Sequence, residues 1–66
     1  MSYEGYTAIE GVSHGIRGKA IKFQGDFWDE PKFIPLSQSK IEGGEEDGER
    51  CTLYIKDWLV KKEGLA

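Results

Sequence analysis

The 66-residue chain contains twelve acidic and nine basic residues and carries a net charge of −3. A chain this short forms one domain, residues 1–66, in which we expect residues 1–5 to be a loose leader. The negative charge disfavours broad electrostatic binding to duplex DNA or anionic lipid, both of which select basic surfaces. Since no apolar run approaches the roughly 18 residues of a membrane span, we expect no membrane partner.

Cysteine and histidine each occur once, as Cys51 and His14. One cysteine forms no disulfide within the chain, and these two side chains lie too far apart in sequence for a typical zinc site. A lone cysteine without a signal peptide is typical of a reducing cytoplasm. We therefore predict a cytoplasmic protein without a metal or a cofactor, which depends on packing and, in one interpretation, on homodimerisation for its stability.

The first predicted strand covers residues 6–12, which are rich in strand-forming types. Tyr6, Ala8 and Val12 share one face of this strand. Two glycines and a serine follow, so residues 13–18 are predicted to be a connection that contains a turn.

The second predicted strand covers residues 19–24 and has the clearest alternation in the chain. Ile21 and Phe23 fall on one face, while Lys22 and Gln24 fall on the other. Because successive side chains of a strand point to opposite faces, we expect the first pair to be buried and the second pair to face water.

Residues 25–31 join this strand to the next and admit two interpretations. In one, the chain reverses at Gly25 and Asp26, and the third strand carries a bulge at Pro31. In the other, the loop extends through Pro31 and the strand covers only residues 32–35. Proline lacks an amide donor and belongs at a sheet edge or in a loop, so we favour the longer loop.

A helical turn is predicted for residues 37–41, with Ser37 as its capping residue. Residues 42–49 are acidic and rich in glycine, which favours a solvated loop. The acids lack the alternate-position spacing of an EF-hand, so the segment does not indicate a calcium site.

The last predicted strand covers residues 51–55 and alternates again. Cys51, Leu53 and Ile55 are expected to face inward, while Tyr54 faces outward. Cys51 is therefore interpreted as a small buried hydrophobic residue and not as a nucleophile.

A short helix is predicted for residues 57–63. Trp58 and Leu59 extend an apolar stripe from the preceding strand, and Asp57 caps or begins the helix. The next residue, Gly64, is typical of a left-handed C-terminal cap, with Leu65 folding back onto the helix.

Three or four short strands followed by a helix predict a mainly β fold. A flat open sheet leaves its edges and one face bare. We therefore expect a small antiparallel curled sheet or an SH3-like or OB-like half-barrel, with the short C-terminal helix covering one end. The order of the strands does not follow from this pattern.

Catalytic motifs are absent from the sequence. His14 lies between glycine-rich turns, and neither a P-loop nor a dinucleotide-binding loop is present. We therefore predict a protein that is not an enzyme.

The remaining class of function is binding, and the candidate binding residues are Tyr54, Trp28, Lys22, Gln38 and Lys40. Exposed aromatic side chains favour binding to another protein or to a second copy of the chain. The alternative is a small barrel that binds single-stranded nucleic acid or a nucleotide, in which lysines on the central strands accompany aromatic side chains that stack with bases. The negative net charge favours the first hypothesis.

Four segments of the chain resemble parts of small bacteriophage and prophage proteins: residues 12–14, 19–21, 33–39 and 57–65. The shared features are a lysine-alanine-aliphatic strand, an aromatic-isoleucine-proline-x-serine-glutamine turn, and a terminal helix that begins aspartate-tryptophan-leucine and ends lysine-x-glycine-leucine. This chain departs from that pattern in having Phe33 where tryptophan is commoner, and in an insertion-like segment at residues 27–31.

The resemblance implies a phage accessory protein that works in the cytoplasm of a bacterium. Such proteins often serve phage DNA metabolism or inhibit a host-defence system, so the implied partner is a host or phage protein. Members of the group carry no assigned activity, and the resemblance therefore transfers no catalytic residue.

Overall fold

A computed structural model of the chain describes residues 3–44 and 46–66. These residues form five strands, one 3-10 turn and one helix: β1 (Tyr6–Arg17), β2 (Ala20–Gly25), β3 (Lys32–Pro35), the 3-10 turn (Leu36–Gln38), β4 (Ser39–Gly43), β5 (Arg50–Lys56) and α1 (Asp57–Glu63). The fold is mainly β with one short C-terminal helix, as predicted, and it has one strand more than the sequence pattern indicated.

All five strands belong to one antiparallel sheet with the order β3-β2-β1-β5-β4. The long strand β1 lies at the centre, and β3 and β4 are the two edges, joined in sequence by the 3-10 turn. The sheet does not close into a barrel. The molecule nevertheless measures 26 × 25 × 22 Å, because the sheet curls around its core instead of lying flat.

The core is built from the inward faces of β2, β3 and β5, and from α1. It contains Ile21, Phe23, Ile34, Cys51, Leu53, Ile55, Leu59, Val60 and Leu65. The predicted inward residues of β2 and β5 are therefore confirmed. Period-two alternation identified them because each of these strands has one face against the core and one face turned away from it.

Helix α1 (Asp57–Glu63) is capped at its C-terminal end by Gly64, which adopts the left-handed conformation at φ 63° and ψ 43°. Leu65 folds back as predicted, since its N–H donates to the Val60 carbonyl at 3.0 Å and its side chain is buried. The expected inward position of Trp58 is wrong, because its side chain is 52% exposed. Leu59 and Val60 define the buried face of this short helix, so the preceding residue points outward.

The connection predicted at residues 13–18 is wrong, since β1 continues to Arg17. The register with β2 shifts between Ser13 and Ile16, which marks a bulge. Gly15 lies within this bulge at φ 97°, a conformation that side-chain-bearing residues rarely adopt. Gly15 therefore bends a continuous strand, whereas Gly18, at φ 61°, lies in the turn between β1 and β2.

The inward face of β1 is opposite to the one expected from Tyr6, Ala8 and Val12. Ile9 packs against the core and pairs with Leu53 across the β1–β5 ladder. A shift of one residue moves every side chain of a strand to the other face, and the buried alternation of β5 determines which face of β1 is inward.

The helical turn predicted at residues 37–41 is only partly formed, because the 3-10 turn is followed at once by β4. Ser37 makes no capping bond. Instead, the Ser39 hydroxyl donates to the Pro35 carbonyl at 2.9 Å. Ile41 then pairs with β5 opposite Leu53, so strand pairing satisfies backbone groups that a longer helix would have satisfied internally.

Parts of both segments that were expected to be least ordered are held by a backbone bond or by strand pairing. Residues 1 and 2 of the predicted leader and Glu45 of the predicted acidic loop lie outside the described residues. The Gly5 carbonyl accepts a bond from the Asp57 N–H at 3.0 Å. At the other segment, Glu42 and Gly43 belong to β4, and the chain turns before β5 begins.

Candidate functional site

A groove of about 950 Å³ lies beside β1, and we call it the β1 groove. Residues 8–10 of β1 form one side of it. Residues 26–28 of the β2–β3 loop and residues 64–66 after α1 form the other walls. Thr52 and Tyr54 of β5 complete the lining.

Backbone bonds hold the β2–β3 loop at the rim of the β1 groove. The Asp26 N–H donates to the Glu10 carbonyl and the Trp28 N–H donates to the Gly25 carbonyl, both at 3.0 Å. The predicted longer loop is confirmed, because β3 begins only after Pro31. Phe27 lies between these two hydrogen-bonded residues, and its side chain projects away from the protein and is 100% exposed.

Trp28 forms the wall between the β1 groove and the core. Its ring meets Phe23 edge to face, with 5.5 Å between the ring centroids and an angle of 87°. Its indole N–H donates to the Leu65 carbonyl at 2.8 Å. The half-buried indole therefore packs on the core and offers only part of its surface to a ligand.

The charge of the β1 groove is acidic, since its lining contains Glu10 and Asp26 and, among the described residues that line it, neither lysine nor arginine. Asp26 accepts two bonds from the Arg50 guanidinium, at 3.2 and 2.8 Å. These bonds lower the pKa of Asp26 and raise the pKa of Arg50. Arg50 thus compensates the charge of Asp26 through two hydrogen bonds and also interacts with the charge of Glu10, which is exposed and lines the groove.

Part of β1 has a strand partner on one side only. The ladder with β2 ends at the pair Gly11 and Gly25, whereas the ladder with β5 continues to Tyr6 and Lys56. Within residues 3–44 and 46–66, no strand pairs with residues 6–9 on the β2 side. The β1 groove lies along this unpaired backbone.

A second exposed aromatic surface lies on β2 and β3, and we call it the lysine–phenylalanine surface. Lys22 and Phe33 are paired across the two strands, and the Lys22 Nζ atom lies 5.9 Å from the centroid of the Phe33 ring. The Phe33 side chain is 59% exposed. This arrangement is a cation–π contact on the surface.

Tyr54 lies on the outward side of β5 as predicted, but the expectation of an exposed ring is wrong, because it is only 7% exposed. The ring of Tyr3 covers it edge to face, with 4.7 Å between the centroids. Burial raises the pKa of the Tyr54 hydroxyl. No pattern in the sequence predicted this cover, since Tyr3 lies in the segment expected to be loose.

The other candidate residues lie apart from one another. Lys40 is exposed and is the cross-strand partner of Tyr54. Gln38 lies half-buried in the 3-10 turn and donates to the Ser37 hydroxyl at 3.3 Å. The structure therefore brings Trp28 and Tyr54 to the β1 groove, while Lys22 belongs to the lysine–phenylalanine surface.

Sequence reasoning missed the groove-side carboxylate of Glu10, the exposure of Phe33 and the unpaired backbone of β1. The unpaired backbone had no signal in the sequence, because it depends on where the β2 ladder stops. The exposure of Phe27, in contrast, did have a signal in the sequence, since a phenylalanine between turn-forming residues has few neighbours that can bury it.

The described residues show little that fits catalysis. Among them, no group of three or more His, Cys, Asp or Glu side chains could hold a metal ion. Burial raises the pKa of the Cys51 thiol, which makes it a poor nucleophile. The His14 ring lies 3.4 Å from the Asp47 carboxylate at a half-exposed position. No helix in the described part of the chain is long and apolar enough to cross a bilayer.

Comparisons of the chain with protein-family models, with curated proteins and with solved structures found no match. The resemblance to phage and prophage proteins therefore stays a prediction that depends on the four segments that carry it.

Proposed function

We propose that this protein is a non-enzymatic module that binds another protein in the β1 groove. The observation that supports the proposal is Phe27, whose side chain is 100% exposed at the rim of a groove that is lined by apolar and acidic side chains. An exposed aromatic ring beside a concave apolar surface is typical of residues that dominate the energy of protein–protein interfaces.

The charge of the groove supports a protein ligand over a nucleic acid. Glu10 is exposed and the described lining contains no basic residue, so a phosphate backbone would meet repulsion there. The net charge of −3 acts in the same direction. A neutral or basic protein surface avoids this cost.

The resemblance to phage proteins extends the proposal to a setting. The partner is then a host or phage protein in the bacterial cytoplasm, such as a host-defence or DNA-processing factor that this protein inhibits. This part of the proposal depends on the resemblance alone and not on the geometry of the groove.

Two matched variants test the proposal: Phe27→Ala in the β1 groove and Phe33→Ala outside it. The tagged wild-type protein and both variants are incubated with bacterial lysate, and retained proteins are identified by mass spectrometry. We expect the wild type and Phe33→Ala to retain a common partner. Phe27→Ala should bind this partner about 30-fold more weakly, since central aromatic residues of an interface often contribute about 2 kcal/mol to the free energy of binding. Because both rings are exposed, neither variant should unfold the protein.

Retention of the same partner by Phe27→Ala would contradict binding in the β1 groove. A wild-type protein that retains no partner would contradict the proposed function as a whole. Circular dichroism of each variant serves as the control for folding.

The lysine–phenylalanine surface supports a second candidate function, the binding of single-stranded nucleic acid. The observation that favours this function is the exposed Phe33 ring beside the Lys22 ammonium. Proteins commonly bind single strands by stacking bases on aromatic rings next to a positive charge. Fluorescence anisotropy of a labelled oligothymidine, titrated at low salt, tests it. Binding that weakens in both Phe33→Ala and Lys22→Glu would favour this function, and no binding at low salt would exclude it.

A further inference from the structure

The backbone of β1 beside the groove has a defined direction. The Asp26 N–H donates to the Glu10 carbonyl, so the backbone groups of Glu10 face the β2 side. The Ser13 N–H donates to the Glu49 carbonyl, so the odd-numbered residues face β5. Because backbone groups alternate in direction along a strand, Ala8 faces the same side as Glu10, where the β2 ladder has already ended.

Ala8 therefore presents its N–H and its C=O to the β1 groove, beyond the last pair of the β2 ladder. Tyr6, the next residue with this orientation, already donates its N–H to the Tyr3 carbonyl at 3.1 Å. The backbone that is offered to a ligand is thus short and centred on Ala8. Unpaired strand backbone is a template for the addition of another extended segment.

We propose that the partner protein binds as an additional strand along β1 at residues 6–10, through an extended segment that carries a lysine or arginine beside Glu10. This inference depends on the proposed function, because it specifies how a protein ligand occupies the β1 groove. Backbone bonds to Ala8 give the segment its direction, and Phe27 and Trp28 contact the side chains on one of its faces. Glu10 selects a positive charge.

The sheet's two outer edges are less suited to strand addition. β3 has only four residues, which include Lys32 and Pro35, and α1 residues share the small groove along it. β4 carries the exposed charges of Lys40 and Glu42. Short strands, charges and proline are features that block pairing at an edge, so the interior gap of β1 is the favoured place.

Charge also favours a partner over a second copy of this chain. Edge-to-edge pairing of two copies would place two acidic grooves against each other, each with an exposed Glu10 and a net charge of −3. A basic extended segment replaces this repulsion with attraction. Self-association is therefore an outcome that contradicts the proposal.

A library of displayed random peptides, selected on the wild-type protein after depletion on Phe27→Ala, provides the probe. The tightest selected peptide is synthesised in two further forms, each N-methylated at one alternate set of backbone amides. In an added strand only one set faces β1, so we expect one form to lose about tenfold or more in affinity and the other to bind normally. We also expect lysine or arginine to be enriched among the selected sequences.

Hydrogen exchange at single amides gives an independent measurement on the unmodified protein. The Ile9 N–H faces β5 and should exchange slowly in the free protein, whereas the Ala8 N–H should exchange rapidly. Addition of the selected peptide should slow exchange at Ala8 and leave Ile9 unchanged.

Charge reversal provides a matched pair of variants. Glu10 and Glu42 are both exposed and both pair with Thr52, from opposite sides of β5. Only Glu10 lines the β1 groove. We expect Glu10→Lys to weaken binding of the selected peptide by about fivefold and Glu42→Lys to leave it unchanged.

The outcomes separate this inference from the proposed function. If the library yields no binder, both are overturned. If a peptide binds in a Phe27-dependent way but both N-methylated forms bind equally, strand addition is overturned and protein binding in the groove stands. If the wild type dimerises and Ala8 is protected without peptide, the occupant is a second copy and the proposed partner is wrong.

Discussion

The β1 groove and the lysine–phenylalanine surface each expose a phenylalanine, yet their surroundings differ in backbone and in charge. Phe27 lies on a loop at a gap in strand pairing, near the Glu10 carboxylate. Phe33 lies on a strand that pairs with β2, below the Lys22 ammonium. The same side chain thus favours an extended basic peptide in one place and a nucleic-acid base in the other. The neighbours of an exposed aromatic residue, more than its exposure, indicate its class of ligand.

The largest effect is expected from Gly25→Ala, which disrupts one surface and spares the other. A Cβ atom at Gly25 would lie 2.8 Å from the ring of Trp28, which forms the wall of the groove. Displacement of Trp28 should lower the free energy of unfolding by about 2 kcal/mol and abolish binding in the β1 groove. Urea denaturation and the peptide titration measure the two effects. An unchanged unfolding midpoint with intact binding would show that the tryptophan wall is not rigid.

Trp28→Phe should have an intermediate effect, because it keeps an aromatic ring and removes the indole N–H that donates to Leu65. We expect a loss of about 1 to 2 kcal/mol from the broken bond and the smaller ring. Trp58→Phe is the matched control, since that side chain is 52% exposed and should change stability by less than about 0.5 kcal/mol. Equal melting temperatures of the two variants would contradict the structural role of Trp28.

A double-mutant cycle over Lys22→Ala and Phe33→Ala measures the contact that defines the second surface. With 5.9 Å between the ammonium and the ring centroid, we expect a coupling free energy of about 0.5 kcal/mol, as is common for exposed cation–π pairs. Denaturant unfolding of the four proteins gives this coupling. A coupling of zero would remove the structural ground for treating the two side chains as one surface.

The smallest effect is expected in the pH dependence of the free energy of unfolding, through the ion pair of Asp26 and Arg50. Arg50 lowers the pKa of Asp26 below its ordinary value of 3.8. A lowered carboxyl pKa contributes stability above the ordinary value, and this contribution is lost as the pH falls through the folded pKa. Both groups are exposed, so the contribution is small. Asp26→Asn should therefore flatten the loss of stability below pH 3.8, as measured by acid titration in urea, and Asp29→Asn serves as the control substitution in the same loop.

Local patterns were sufficient to predict β2, β5 and α1. Alternation in β2 and β5 identifies a buried face because each strand has one side against the core. Asp57, Gly64 and Leu65 identify the limits of α1, because helix ends are satisfied by groups within a few residues. The loop through Pro31 followed from the missing amide donor of proline.

Local patterns failed at the candidate site. Phe27 and Trp28 lie in a loop whose position depends on one backbone bond to β1. Tyr54 owes its burial to Tyr3, which is distant in sequence. Side chains that meet only through tertiary contacts have no common spacing in the sequence, so their neighbours were not predictable.

The sequence by itself determined that this is a mainly β protein with two strongly alternating strands and a capped C-terminal helix, because those features depend on neighbouring residues. Only the tertiary structure decided that β1 continues through a bulge, that Ile9 and not Ala8 faces the core, and that the β2 ladder stops at Gly25. Strand pairing is a contact between distant segments, and its register determines which face is buried and which backbone is left unpaired. The β1 groove is a consequence of that pairing.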